Sequence, residues 1–173
     1  MAPTASVDAL LREETRPCDG SAAISRPAAR VLLVDDMQRL LLFRGRDPAR
    51  PGSRYWFTVG GGVDPPETTR QAAVRELYEE TGLSIPEDAL GSPVWQNVAQ
   101  FPFEGRVYRQ EQEFFLLRVP RWDVSCELWD EVERRTVDDF RWWAVDELEA
   151  ADEAIYPIEL PALLHRLLSA EEA

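Results

Sequence analysis

The chain contains no lysine, and all 19 of its basic side chains are arginine. Codon bias in a GC-rich genome is the plain reading, and the chemical consequence holds regardless. A lysine Schiff base, a phosphate-loop lysine and a lysine general base are all excluded. Histidine is nearly absent too, with His165 alone in the apolar stretch ELPALLHRLLS. That argues against a histidine triad or a histidine-bound zinc. The two cysteines, Cys18 and Cys126, cannot build a disulfide framework and fit no zinc spacing, so a reducing, cytoplasmic setting is expected. No uncharged apolar run approaches the roughly 20 residues of a membrane span. The opening MAPTASVDALLREETRP lacks a basic region followed by an apolar core, so neither a secretory signal nor a membrane is expected. The net charge of −13, with 32 acidic side chains, argues against nonspecific nucleic-acid binding, which depends on neutralising phosphates. A small anionic substrate stays compatible, because local charge can differ from the total. Carboxylates, arginines and metal are left to carry the chemistry.

What is present suits one folded domain with a sizeable core: 173 residues, 45% hydrophobic and 29% charged. Residues 1–26 read as an N-terminal extension, with a short helix expected around 7–14, and 27–173 as the domain. AARVLLVDDMQRLLLFRG is two apolar runs around Asp35-Asp36-Met37-Gln38, which predicts a hairpin. RYWFTV, rich in aromatic and β-branched residues, predicts a strand. A glycine turn follows, then a helix from about Glu67 to Thr81 with Gly82 as its stop. The segment 93–120 reads as two strands joined near Glu104-Gly105-Arg106. CELWDEVERRT is open between helix and loop. DDFRWWAV predicts a strand, DELEAA a short helix and ELPALLHRLLS an amphipathic helix. Strands mixed with helices and hairpins predict an α/β fold with a mixed sheet between helices.

The helix after the glycines gathers like charges. On a wheel of about 100° per residue with Glu76 at zero, Glu79 falls near 300° and Glu80 near 40°. The three carboxylates share one face, and Ala72 lies in the same arc, where a small side chain leaves room. Ala73, Val74 and Leu77 form a neighbouring apolar stripe for the core. Solvated, such acids repel by a few tenths of a kcal/mol per pair, and more in a cleft of lower dielectric. A divalent cation relieves this, since Mg2+ or Mn2+ takes oxygen ligands and Mg2+ sits between carboxylates and substrate phosphates.

The surrounding segment is more specific. GGGVDPPETTRQAAVRELYEETGL matches G-x5-E-x7-R-E-U-x-E-E-x-G-U, with U aliphatic, at Gly61, Glu67, Arg75, Glu76, Leu77, Glu79, Glu80, Gly82 and Leu83. This resembles the signature box of the Nudix hydrolases. The resemblance implies an α/β/α sandwich and hydrolysis of a nucleoside diphosphate linked to another moiety, assisted by Mg2+ or Mn2+. Carried onto this chain, it makes Glu76, Glu79 and Glu80 the metal-binding acids and the Gly60 carbonyl a main-chain ligand. It makes Glu67 and Arg75 a supporting pair. Val59 stands where the family often has proline, and Pro66 where glycine is common; neither removes a ligand. The substrate is open between a nucleoside triphosphate, ADP-ribose or another nucleotide sugar, and a dinucleoside polyphosphate. Alternatives are an isopentenyl-diphosphate-isomerase-like enzyme or a non-catalytic nucleotide-sensing domain. The complete box argues against both.

Outside the box, Glu111 and Glu113 share one face of a strand, and Glu131 and Glu133 precede the DDFRWW strand. Of these, Glu113 and then Glu133 are the expected additional metal or water ligands, with general-base catalysis in view. RGRDPARPGSRY concentrates positive charge before the box, so Arg44, Arg46 and Arg54, with Arg50, are candidates for substrate phosphate. Trp142 and Trp143 are adjacent on a strand, so one should face in and the other out. Long apolar strands are compatible with a homodimer.

Overall fold

The computed structural model describes residues 22–170; the expected N-terminal helix lies outside them. The hairpin forms as β1 (Ile24–Val34) and β2 (Leu40–Arg46). Its turn is set by Asp35, whose carboxylate accepts the N–H groups of Met37 and Arg39 and pairs with the Arg39 guanidinium at 2.6 Å. β3 (Arg54–Gly62) continues through the whole glycine run, longer than RYWFTV alone. Helix α1 spans Thr69–Thr81, starting two residues later than expected. Thr68 caps it by accepting the Gln71 N–H while Gln71 bonds back, an arrangement worth about 1 kcal/mol. Gly82 ends it at φ 74, a left-handed geometry that suits glycine.

Strands β4 (Trp95–Phe103) and β5 (Arg106–Arg118) turn at Glu104 and Gly105 as expected. The ambiguous segment resolves into a short helix, α2 (Glu131–Thr136), capped by Asp130. β6 (Val137–Trp143), α3 (Val145–Glu149) and α4 (Leu160–Ser169) follow the sequence. β7 (Ala154–Tyr156) is an addition.

Among the described residues these strands form one mixed sheet, ordered β4-β5-β1-β2-β3-β7 with β6 added on β2. β1 runs parallel to β5, and β3 parallel to β7. β3 pairs with β2 along Arg54–Thr58 and then with β1 along Val59–Gly62. The sheet therefore forks beside Gly60.

Alternate residues of β1 feed two cores. Ala29, Val31 and Leu33, with Val59 and Phe115, pack against Ala72, Ala73 and Leu77 of α1. Leu32 and Val34, with Trp56 and Phe114, pack against Leu160, Leu163, Leu164 and Leu168 of α4. Each leucine buried this way is worth about 1.5–3 kcal/mol. Trp143 is buried in the second cluster, while Trp142, on the opposite face, is partly buried against the first, so the expected in-and-out pair is a buried and a half-buried side chain. Among the described residues no helix is long and apolar enough to cross a membrane.

Candidate functional site

The carboxylates meet the sheet at its fork. Glu80 Oε2 accepts the Gly60 N–H at 2.7 Å, which lets a carboxylate only 7% exposed sit beneath β3. Gly60 has φ 125, and a Cβ there would lie 2.1 Å from the Ala29 carbonyl oxygen. A Cβ on Gly61 would lie 2.5–2.9 Å from the Glu76 carboxylate. The glycines thus allow two backbone approaches, one to β1 and one to α1.

The helical wheel needs correcting in two places. Ala72 is fully buried, so it opens no room beside the acids. Glu80 points into the protein, while Glu76 and Glu79 are 13% and 44% exposed. Glu67 precedes the N-cap and so lies off the wheel, yet its pairing with Arg75 is present at 2.6 Å.

Arg75 does more than meet Glu67. Its Nη1 donates to Glu76 at 2.8 Å and to Glu79 at 3.1 Å, and its Nη2 donates to the Gly62 carbonyl at 3.0 Å. One guanidinium thereby bridges two acids assigned to a cation. Among the described residues, no three acidic, cysteine or histidine side chains are gathered as a ready metal cluster. The oxygen donors still fit a hard divalent ion, carboxylates plus a carbonyl, and the Arg75 and Arg30 guanidinium groups now on them are what a cation would displace.

Burial pushes the Glu80 carboxyl well above the usual range, and the Glu76 charge adds to it. Burial likewise raises Glu76, offset in part by Arg75. Glu133 is raised by burial and by Asp130, Glu76 and Glu79. Glu67 is lowered by its hydrogen bond from Arg75. The raised groups bind protons more readily folded than unfolded, so they favour the fold as pH falls from above their raised values toward about 4.3, the unfolded value. Groups lowered by pairing, Glu67 and Asp35, lose their contribution as pH falls further. Thermal unfolding of the metal-free protein should therefore show Tm rising from pH 8 toward pH 5. Mg2+ should raise Tm at pH 8 and flatten that slope.

Glu133 is held by the capping box of α2, accepting the Asp130 N–H at 2.7 Å. Its position depends on residues the sequence reading passed over. The Trp129 indole donates to the Glu80 carbonyl at 2.9 Å and the Trp122 indole to the Thr81 carbonyl at 3.0 Å. The Ser125 N–H also reaches Thr81, at 3.0 Å. The loop before α2 is thus fastened to the last turn of α1, where helix carbonyls need partners.

Glu113 goes elsewhere. It accepts from the Thr69 hydroxyl at the start of α1 and from Gln96 at 3.0 Å. It lines a groove of about 400 Å³ with Thr69, Gln96 and Glu111. Thr69 lies seven residues before Glu76, roughly 10 Å along the helix. Arg44 pairs with Asp138 at 2.7 Å and lies over the Trp56 ring, and Arg54 also reaches Asp138. Arg46 donates to the Arg135 carbonyl. The polar partners of these three arginine side chains come from residues 135–153 rather than from α1. Arg44→Ala should lower Tm by a few degrees and leave KM unchanged, measured by thermal unfolding and initial rates.

The arginine the sequence reading overlooked is Arg30, inside AARVLLV. Its Nη1 donates to the Gly60 carbonyl at 2.6 Å, the oxygen expected as a metal ligand. A charged side chain interrupting an apolar run was the available signal.

The sheet is mixed and flanked by helices, and the acidic helix α1 is docked on the glycine end of β3. The NUDIX domain family model matches residues 24–163, and the chain belongs to that family. A relative named RNA pyrophosphohydrolase, from Wolbachia pipientis subsp. Culex pipiens (strain wPip), is 28% identical over 132 residues, covering 73% of this chain and 78% of that one. Another so named, from Rhodopseudomonas palustris (strain HaA2), is 35% identical over 82 residues; the match spans 44% of this chain and about half of the relative, 49%. The solved MutT protein from Methanosarcina mazei Go1 shares the fold at a TM-score of 0.63 and 16% identity, covering 89% of this chain and 100% of that one. A C. elegans Ap4A hydrolase shares it at 0.53 and 21% identity, covering 85% and 98%.

Proposed function

We propose that the protein is a divalent-metal-dependent hydrolase that cleaves a diphosphate linkage in a nucleoside diphosphate derivative by water attack on phosphorus. The observation that carries this reading is the approach of Glu80 to Gly60 and of Glu76 to Gly61 at the fork of the sheet, with Arg75 linking Glu76 to Glu79. Those three acids and the Gly60 carbonyl would hold Mg2+ or Mn2+. When bound, the cation supplies Lewis acidity to the diphosphate oxygens. Glu67 keeps Arg75 in place against the backbone of Gly62. Glu133 takes the proton from the attacking water, which its raised affinity for protons suits. Glu113 is the less favoured base, because it is engaged at the far end of α1.

An isomerase-like reading has less support. Burial raises the Cys126 thiol rather than activating it, and Cys18 lies outside the described residues. The relatives' names make RNA and Ap4A the first substrates to try. The test is a panel of nucleoside triphosphates, dinucleoside polyphosphates, nucleotide sugars and a short 5′-triphosphate oligoribonucleotide with Mg2+ or Mn2+, read by product identity. Glu133→Gln should lower kcat roughly 10²-fold with little change in KM on whichever is cleaved. No release from any member would sink the catalytic reading and favour a sensing domain.

A further inference from the structure

Arg30 differs from the ion-paired arginines of the chain. Arg39, Arg44, Arg75, Arg135 and Arg141 each pair with a carboxylate. Arg30 instead donates to three neutral acceptors: the Gly60 carbonyl at 2.6 Å, the Thr58 carbonyl at 3.4 Å and Gln110 Oε1 at 3.2 Å. Gln110 is itself fixed by Gln112 at 2.9 Å. Among the described residues, no carboxylate forms an ion pair with Arg30. A guanidinium keeps its charge when buried, so that charge must be balanced at longer range. Glu80 and Glu76 supply the balance, and Arg26 opposes it.

A divalent cation on Glu76, Glu79 and Glu80 would change both conditions together. It would cancel the field of the acids, and it would need the oxygen that Arg30 now holds. Two positive groups on one carbonyl repel. Arg30 would be left with a charge, its bonds to the Thr58 carbonyl and Gln110, and no counter-charge. An arginine fork suits phosphate oxygens. Arg26, four residues away on the same strand face, adds a second guanidinium beside Gly62 and over the Tyr108 ring.

We infer that Arg30 is a phosphate-binding residue held on the Gly60 carbonyl until a divalent cation takes that oxygen, so that metal binding transfers Arg30 from the glycine peptide to the diphosphate. This deepens the reading of the same site as a metal-dependent diphosphate hydrolase and rests on it.

Calorimetric titrations with Mg2+ alone, and with imidodiphosphate in the presence of Mg2+, test the assignment. Arg30→Met should bind Mg2+ roughly fivefold tighter and imidodiphosphate roughly tenfold weaker. Arg30→Lys keeps the charge without the fork, so it should bind Mg2+ about as the wild type does and still lose imidodiphosphate roughly tenfold. It decides the matter if Arg30→Met fails to fold. A purely structural role would lower Tm without tightening Mg2+. Unchanged or weaker Mg2+ binding in Arg30→Met, or wild-type imidodiphosphate binding in either variant, would overturn the assignment. Wild-type protein that binds both probes but turns over no nucleotide would overturn the proposed reaction while still testing Arg30. Wild-type protein that does not bind Mg2+ would overturn both.

Discussion

Glu80→Gln should lower kcat for diphosphate cleavage by roughly 10²-fold or more while raising the Tm of the metal-free protein. The two effects have one cause. Glu80 is buried with its carboxyl held well above the usual range, so its charge at neutral pH is unfavourable to the fold. Glutamine can still accept the Gly60 N–H through its carbonyl oxygen, which keeps the 2.7 Å bond. It brings no charge for a cation. A gain of about 1 kcal/mol would move Tm by roughly 2–4 °C in a chain of this size. Thermal unfolding with and without Mg2+, beside steady-state rates, reads both effects. Undiminished turnover in Glu80→Gln, with the same result in Glu79→Gln, would remove the metal assignment. A fall in Tm together with lost activity would mean that Glu80 serves mainly to build the fold.

Gly60→Ala and Gly61→Ala should separate folding from chemistry at adjacent positions. At Gly60 the new methyl would stand 2.1 Å from the Ala29 carbonyl oxygen, on backbone at φ 125. Main chain on both sides cannot yield, and a loss of about 3 kcal/mol or more is expected. At Gly61 the atoms nearest the methyl all belong to the Glu76 carboxylate, which is the end of a flexible side chain. Glu76 should swing aside, with stability changed by about 1 kcal/mol and Mg2+ affinity reduced roughly tenfold or more. Denaturant unfolding and Mg2+ titration distinguish the pair. Equal loss of stability in both would contradict the packing described at the fork.

The parts legible in the sequence were those governed by neighbours along the chain. The Asp35 turn, the Gly82 stop and the box itself are set within a few residues of each other. The amphipathic pattern of ELPALLHRLLS likewise reports directly on α4. What escaped depended on register between distant strands. Arg30 reaches the Gly60 carbonyl only because β3 leaves β2 and joins β1 there. Trp122 and Trp129 bind main-chain carbonyls, which no side-chain pattern announces. β7 is three residues long, too short to show a period. The wheel misplaced Ala72 and Glu80 because it assumes one flat boundary between core and solvent, whereas the sheet curls around α1. Arg44, Arg46 and Arg54 drew attention through local charge, yet their partners come from Arg135, Asp138 and Asp139, far along the chain.

The way the loop before α2 is attached has a consequence for how the protein can diversify. Its two tryptophans and Ser125 recognise carbonyl oxygens of Glu80 and Thr81, atoms that every residue type provides. The joint is therefore indifferent to the side chains of the helix it grips. The loop and α2 can be rewritten or exchanged as a cassette, altering which side chains α2 carries, without a matching change in the acids. The acidic helix is in turn free to hold its side-chain pattern constant while its neighbours drift.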